Sequence, residues 1–282
     1  MGHVHSVLVR VGADRCAATA RLAAPWLRPY VAGYGAFRTG TTADAAQRRV
    51  LPLNLVTLIV DFDGCGSLAF GPRGTPEVRE GACWLSGVTI GLTPAGARGL
   101  LGVPMRVLTG TAVDLDGLLG RRADELAERL VAAPGWDARF AVLDDLLTRW
   151  LRPDLPPDQR RDQPPDDATV RGWWRLQETA GRIRIGRLAA ELGVSRRRLE
   201  SGFQREIGLT PKTVARVARF QRAAQVLGTP ASTPGILMGA FAAAAACGFA
   251  DQPHFNREVR AMAGITPGEL RAFLQYADQL SD

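Results

Sequence analysis

Cysteine is scarce in this 282-residue chain and poorly spaced for pairing. Cys16, Cys65, Cys83 and Cys247 lie 49, 18 and 164 residues apart, with no CxxC. That spacing argues against a zinc site or a disulfide scaffold, and for reduced thiols in a cytoplasmic protein. Histidine is scarcer still, with His3 and His5 near the start and His254 alone among Asn, Arg and Pro. Neither a metal nor a cofactor is expected from such a set. The opening Met1-Gly2-His3-Val4-His5-Ser6 lacks the basic segment and apolar run of a secretory signal. It matches only the short and weak myristoylation pattern. Long apolar runs are missing as well. Residues 223–250 are uncharged, but Pro230, Pro234, Gly235 and Gly239 break the front and alanine dominates the rest. That pattern reads as a loop and a buried helix, not a membrane span.

Lysine is nearly absent: of 35 basic residues, only Lys212 is lysine. An arginine excess suits phosphate, and a GC-rich genome explains it equally well, so composition alone settles nothing. The 46% of apolar and 22% of charged residues are those of a globular protein, and the length suits two domains. The boundary is legible at residues 152–168, RPDLPPDQRRDQPPDDA, with five prolines, five aspartates and one large apolar residue. Such a segment cannot bury enough surface to fold, and its prolines keep it extended.

Charge separates across that linker. Residues 1–169 hold 19 arginines and 19 acids, whereas residues 170–282 hold 16 basic and 9 acidic residues. The whole net charge of +7 thus belongs to the smaller C-terminal part. Its concentration in 182–222, with 11 basic to 3 acidic residues, points to a surface that meets a polyanion.

The N-terminal part, 1–151, reads as α+β. Ser6–Val11 and Leu53–Phe62 are strand-like, and glycines punctuate the thirty residues that follow. Thr93-Pro94 predicts a helix start, with threonine as cap and proline in the first turn. Further helices are predicted over Asp114–Leu119, Arg122–Ala132 and Asp137–Leu151. Several tempting sites have plainer readings. Gly64-Cys65-Gly66-Ser67-Leu68-Ala69 fits a G-x-G-x-x-A nucleotide fingerprint, yet Gly71-Pro72 follow at once where a helix must open, so a hairpin fits better. Cys65 has no histidine partner in view for nucleophilic chemistry. Asp61 and Asp63 read as a strand end entering a turn.

The C-terminal part, 169–282, reads as all-α and repeats itself. Gly208-Leu209-Thr210-Pro211 recurs 56 residues later as Gly264-Ile265-Thr266-Pro267. Leu199 and Phe255 share that offset, as do Phe203 and Val259. Two copies of one helix-turn-helix are the economical explanation. In the first, Ile185, Leu188, Ala189 and Leu192 form one apolar face, Gly193 closes the helix at positive φ, and Ser195 caps the next. Leu199 and Phe203 turn inward, leaving Arg196, Arg197, Glu200, Ser201, Gln204 and Arg205 outside. In the second, Asp251 caps a helix whose Phe255 and Val259 turn inward and whose Gln252, His254, Asn256 and Arg257 face out. Arginine can pair with guanine, and short polar side chains read several base edges or hold phosphate. Thr210-Pro211 opens a long helix that Gly228 ends, a strut between the units, with Val214, Val217, Ala218, Gln221, Ala224 and Val226–Leu227 supplying most of its packing stripe. Trp173 and Trp174 belong to an amphipathic first helix and are expected to pack rather than to stack on bases.

LAAELGVSRRRLESGFQREIGLTPKTVARVARFQRA at 188–223 and ACGFADQPHFNREVRAMAGITPGELR at 246–271 resemble the AraC/XylS transcriptional regulators. The resemblance covers nearly all of 182–273. It implies a sequence-specific regulator without enzymatic activity, whose partner is double-stranded DNA. A homodimer, a small-molecule effector at the N-terminal domain and RNA polymerase are its further implied partners. Carried over, the DNA contacts are Arg197, Glu200 and Ser201 in the first unit, and Gln252, His254, Asn256 and Arg257 in the second. The chain departs from the family at Val259, usually phenylalanine, at Ala242, often aspartate, and at Gly202 inside the first reading helix. Gly202 is expected to weaken its helix by about 1 kcal/mol against alanine, and the second unit to pack loosely or to bind DNA weakly without help. The N-terminal part resembles one regulator subgroup only over 92–120. Two rival readings stay open: an enzyme with an appended DNA-binding module, and a purely dimerising N-terminal domain.

Overall fold

A computed structural model describes residues 5–8, 16–39, 48–79, 84–151, 168–228 and 247–275. The Pro/Asp-rich linker up to residue 167 and the alanine-rich 242–246 lie outside these residues. Two antiparallel sheets form the N-terminal part. The smaller has the order β1 (Ser6–Leu8), β4 (Arg48–Val50), β7 (Glu77–Arg79). The larger runs β2 (Cys16–Arg21), β3 (Val31–Thr39), β8 (Ser86–Leu92), β5 (Val56–Asp61), β6 (Leu68–Phe70), β9 (Ala112–Asp114). β5 is buried along its whole length, as a Val/Leu/Ile run in a covered central strand should be. Its register on β8 runs from Val56↔Leu92 to Asp61↔Gly87. The G-x-G-x-x-A segment joins β5 to antiparallel β6, so it is a hairpin. Cys65 within it is disulfide-bonded, contrary to the reduced turn cysteine expected, while Cys247 is free and buried.

Helices cover the larger sheet. Thr93 caps α1 (Pro94–Leu101) by accepting from the Gly96 amide at 3.1 Å, and Gly102 ends it at φ 70°. There follow α2 (Leu115–Leu119), α3 (Arg121–Ala132) and α4 (Trp136–Leu151). Phe140, Leu143, Leu147 and Trp150 of α4 are buried, as their spacing predicts. Asp144 on the same helix accepts from the Tyr34 hydroxyl at 2.8 Å and the Ala24 amide at 3.0 Å, which fixes α4 to β3.

The C-terminal part holds α5 (Ala168–Glu178), α6 (Ile185–Glu191), α7 (Arg196–Glu206), α8 (Pro211–Gly228), α9 (Gln252–Ala263) and α10 (Pro267–Gln275). It packs directly on the N-terminal part. One apolar cluster runs from the larger sheet through Trp173, Leu176, Leu188, Leu199 and Phe203. The segment 51–55 is driven between the helices. Leu51 joins Phe220, Phe255, Val259 and Met262 in a second cluster, whereas Leu55 belongs to the first. Pro52 O accepts from the Gln221 amide at 2.8 Å, and Asn54 O from the Trp173 indole at 3.1 Å. Trp173 and Trp174 therefore pack, and Trp173 is wholly buried. Among the described residues, no helix is long and apolar enough to cross a membrane.

A third cluster, Val50, Ile59, Phe70 and Trp84, joins the two sheets. His5 lies edge-on to Phe70 with ring centres 5.0 Å apart. Burial, reinforced by the charges of Arg73 and Arg48, pushes the His5 imidazole from 6.5 down to about 3. The folded protein thus holds this group neutral, while the unfolded chain takes up a proton as pH falls through 6.5. Its stabilising contribution is complete above that value and drains away below it. Going from pH 7 to pH 5 should cost about 2 kcal/mol through this group. Urea titrations at the two pH values check this, and His5→Phe should flatten the difference.

Candidate nucleic-acid interface

Each unit of the repeat is built by local chemistry that fixes which side chains stay outside. In the first unit, Gly193 takes φ 66° after α6, where a side chain would be strained. Ser195 then caps α7, accepting from the Arg198 amide at 3.2 Å. Leu199, Gly202 and Phe203 are buried, one face of one helix. Arg196, Arg197, Ser201, Gln204 and Arg205 are exposed, and Glu200 is half-buried. Arg196 pairs with Glu200 at 2.9 Å and Arg205 with Glu206 at 3.4 Å, whereas Arg197 enters no ion pair among the described residues. Arg198 is also exposed, so all three arginines of the run 196–198 in the first helical turn stay outside. The run is legible in the sequence, just after the turn glycine, although Arg198 is not among the individual contacts carried over from the family.

In the second unit, Asp251 caps α9, accepting from the His254 amide at 2.6 Å. Phe255, Val259 and Met262 are buried. Val259 is fully enclosed despite being smaller than the usual phenylalanine, with Leu51 from the N-terminal part in the same cluster. Gln252 and Arg257 are exposed, and His254 and Asn256 half-buried. The His254 ring stands edge-on to Phe249 at 5.6 Å, and its Nδ1 faces the Ala250 amide at 3.4 Å. His254 is thus partly tied to its own turn. No group of three or more His, Cys, Asp or Glu suited to a metal occurs among the described residues.

The Thr-Pro repeats are both helix starts. Thr210 accepts from the Thr213 amide at 3.1 Å. Thr266 accepts from the Glu269 amide at 3.2 Å, and Glu269 accepts in return from the Thr266 amide at 2.7 Å, a reciprocal cap. Those bonds hold the Glu269 carboxyl below its usual range. The strut α8 carries Val217 and Phe220 into the second cluster and Val214 into the first. Arg216 on α8 donates to Glu258 on α9 at 2.7 Å.

The far end of α7 meets the N-terminal part, not solvent. Glu206 pairs with Arg98 of α1, and the Thr109 hydroxyl donates to Ile207 O at 2.7 Å. Gly208, at φ 81°, lies so close to Thr109 and the Arg106 backbone that a side chain would collide. The repeated glycine therefore makes a turn and also admits a neighbour. Gly202 has a similar reason. A methyl there would run into the Thr169 hydroxyl of α5, so the glycine permits close approach of α5 and α7.

Residues 188–272 match a helix-turn-helix domain family. A probable AraC family transcriptional regulator from Rhodopseudomonas palustris is 34% identical over 39% of this chain and 97% of its own, with TM-score 0.32. An AraC-type transcriptional regulator from Chromobacterium violaceum is 28% identical over 38% of this chain and 91% of its own, with TM-score 0.34. Fatty-acid-bound ToxT from Vibrio cholerae is 12% identical over 99% of this chain and 100% of its own, with TM-score 0.45. No curated protein matches the chain.

Gly202→Ala separates propensity from packing. On an open helix face, alanine would gain about 1 kcal/mol. Here the added methyl should instead destabilise by about 1–3 kcal/mol, as overpacking does. A lowered urea midpoint with unchanged slope checks this.

Proposed function

The chain belongs to the AraC family of transcriptional regulators, and from that premise we propose that its N-terminal part senses a small molecule and resets the two DNA-reading units. DNA binding by the duplicated helix-turn-helix is the family's property. The reading concerns which residues meet DNA and what controls them. The observation that carries it is the pair of capped helices, α7 and α9, each with an apolar face buried and a polar, arginine-bearing face left open.

Arg197, Arg198, Ser201 and Gln204 read or hold the DNA from α7, with Glu200 exchanging its ion pair with Arg196 for a base edge. Arg196 and Arg205 neutralise phosphate. Gln252, His254, Asn256 and Arg257 do the same work from α9. Two such helices on one face of a duplex enter successive major-groove segments about 34 Å apart. Residues 1–151 form the sensory and dimerising unit, linked through 152–168 to the reader at 169–282. The segment 51–55, in contact with both apolar clusters of the reader, is the route by which a ligand changes DNA affinity.

Arg197→Ala should lower affinity for the cognate site by about 1–3 kcal/mol and relax preference at one base position. Selection of bound sequences with wild type and variant checks this, and an equal loss on every sequence would make Arg197 a phosphate contact only. Affinity should also fall steeply with salt as counterions are released. A flat salt response in fluorescence anisotropy would contradict the arginine surface.

A further inference from the structure

Between the two sheets lies a cluster of rings and cations that DNA reading does not use. Arg73 follows β6 and is 5% exposed. Its guanidinium stands 5.8 Å from the centre of the Phe70 ring, and its Nη1 pairs with the Glu77 carboxylate. Its Nε and Nη2 are buried and meet no acceptor among the described residues. Those two nitrogens form one edge of the guanidinium plane. That edge offers two parallel N–H groups, the fork that matches a carboxylate. His5, packed on the same Phe70 ring, has a buried Nε2 that likewise meets no partner among the described residues. Arg79 places a further guanidinium 5.4 Å from that ring.

A buried donor without an acceptor costs about 1–3 kcal/mol, more when charged, so a fold that keeps two on one guanidinium calls for an explanation. Glu77 supplies part of one. It is 40% exposed and holds only the Nη1 end, so it neutralises Arg73 without using the fork. The backbone at Arg73 is tied to the reader. Its amide donates to Leu53 O at 2.7 Å, within the segment between the helices. Gly74 lies against Thr213 at the start of α8, with no room for a side chain.

We propose that the Nε–Nη2 edge of Arg73, with His5 beside it, binds the carboxylate of a small organic acid whose apolar body lies along Phe70. The site gives the sensed molecule a chemical class, and only its effect on DNA rests on the sensory reading above. An occupant of the fork pulls on the Arg73 backbone, and through it on Leu53 and on Gly74 beside the start of the strut.

The test uses the full chain and three carboxylates, acetate, hexanoate and phenylacetate, each paired with its neutral amide, up to tens of millimolar. At least one carboxylate should raise the melting temperature saturably while its amide does not, by the mass action of a native-state ligand. Arg73→Lys keeps the charge and removes the fork, and should weaken that carboxylate at least about tenfold. Glu77→Gln frees the Nη1 end and should strengthen it, an effect that remains readable if the Arg73 variant fails to fold. The site is overturned if no carboxylate shifts the melt, if amides act equally, or if Glu77→Gln leaves the midpoint unchanged or weaker. Operator affinity is measured separately. A carboxylate that binds without changing it upholds the site and sinks the sensory reading. A neutral molecule that changes it, with no carboxylate bound, does the reverse.

Discussion

Burying the backbone of residues 51–55 imposes the constraint from which the arrangement of the molecule follows. A peptide carbonyl removed from water must find a donor. Helices spend their own amides internally, so α5 and α8 can answer only with side chains. Trp173 and Gln221 answer, donating to Asn54 O and Pro52 O, and Arg73 answers Leu53 O through its amide. Each carbonyl so held fixes a different neighbour. The segment therefore cannot shift without leaving polar groups unpaired on α5, α8 or the strand past β6.

The leucines at the two ends of the segment fall in different apolar clusters. Leu51 joins the one that holds the second helix-turn-helix, and Leu55 the one that runs from the larger sheet into the first. The strut between those units is gripped near its middle through Gln221 and at its start through Thr213. The rim contacts add little by comparison. Arg98 is about half exposed in its pair with Glu206, and exposed ion pairs contribute between nothing and about 1 kcal/mol. The buried carbonyl bonds and the enclosed Trp173, not the charged rim, hold the C-terminal helices against the N-terminal part.

Local chemistry was legible in the sequence, and non-local chemistry was not. Ser195, Asp251, Thr93 and Thr210 announce helix starts because a cap is decided within four residues. Leu199 with Phe203, and Phe255 with Val259, announce buried faces because helical spacing is a local property. The outward-facing arginines follow from those two facts. Arg73 could not be found this way: in Gly71-Pro72-Arg73-Gly74 it looks like a turn, and its bridge to Leu53, 20 positions away, is not legible locally. Gly202 read as a weakness of the helix, since Thr169, the residue it makes room for, lies 33 positions away. Gln221 looked like one more member of a packing stripe, because its partner Pro52 is 169 residues distant. The Pro/Asp-rich segment reads as a boundary between two parts of the chain. It does not reveal that the helices on either side of it share one apolar cluster.

The scale of these contacts bears on the sensory reading proposed above. A hydrogen bond between protein groups contributes about 0.5–1.5 kcal/mol net, and leaving its buried partner unpaired costs about 1–3 kcal/mol. Coupling between two binding sites typically amounts to about 1–3 kcal/mol. Releasing one of the two side-chain bonds to the carbonyls of 51–55 falls within that range, whereas extracting Trp173 from its enclosure does not, since deleting a buried tryptophan side chain costs about 3–5 kcal/mol. On the sensory reading proposed above, a ligand would reseat α8 at Gln221 while α5 stays in place. The first unit, which shares a cluster with Trp173, would be the fixed arm. The second, whose cluster takes in Leu51 from the N-terminal part, would be the arm that moves. Val259 belongs to that second cluster, where a tighter core would resist such a motion.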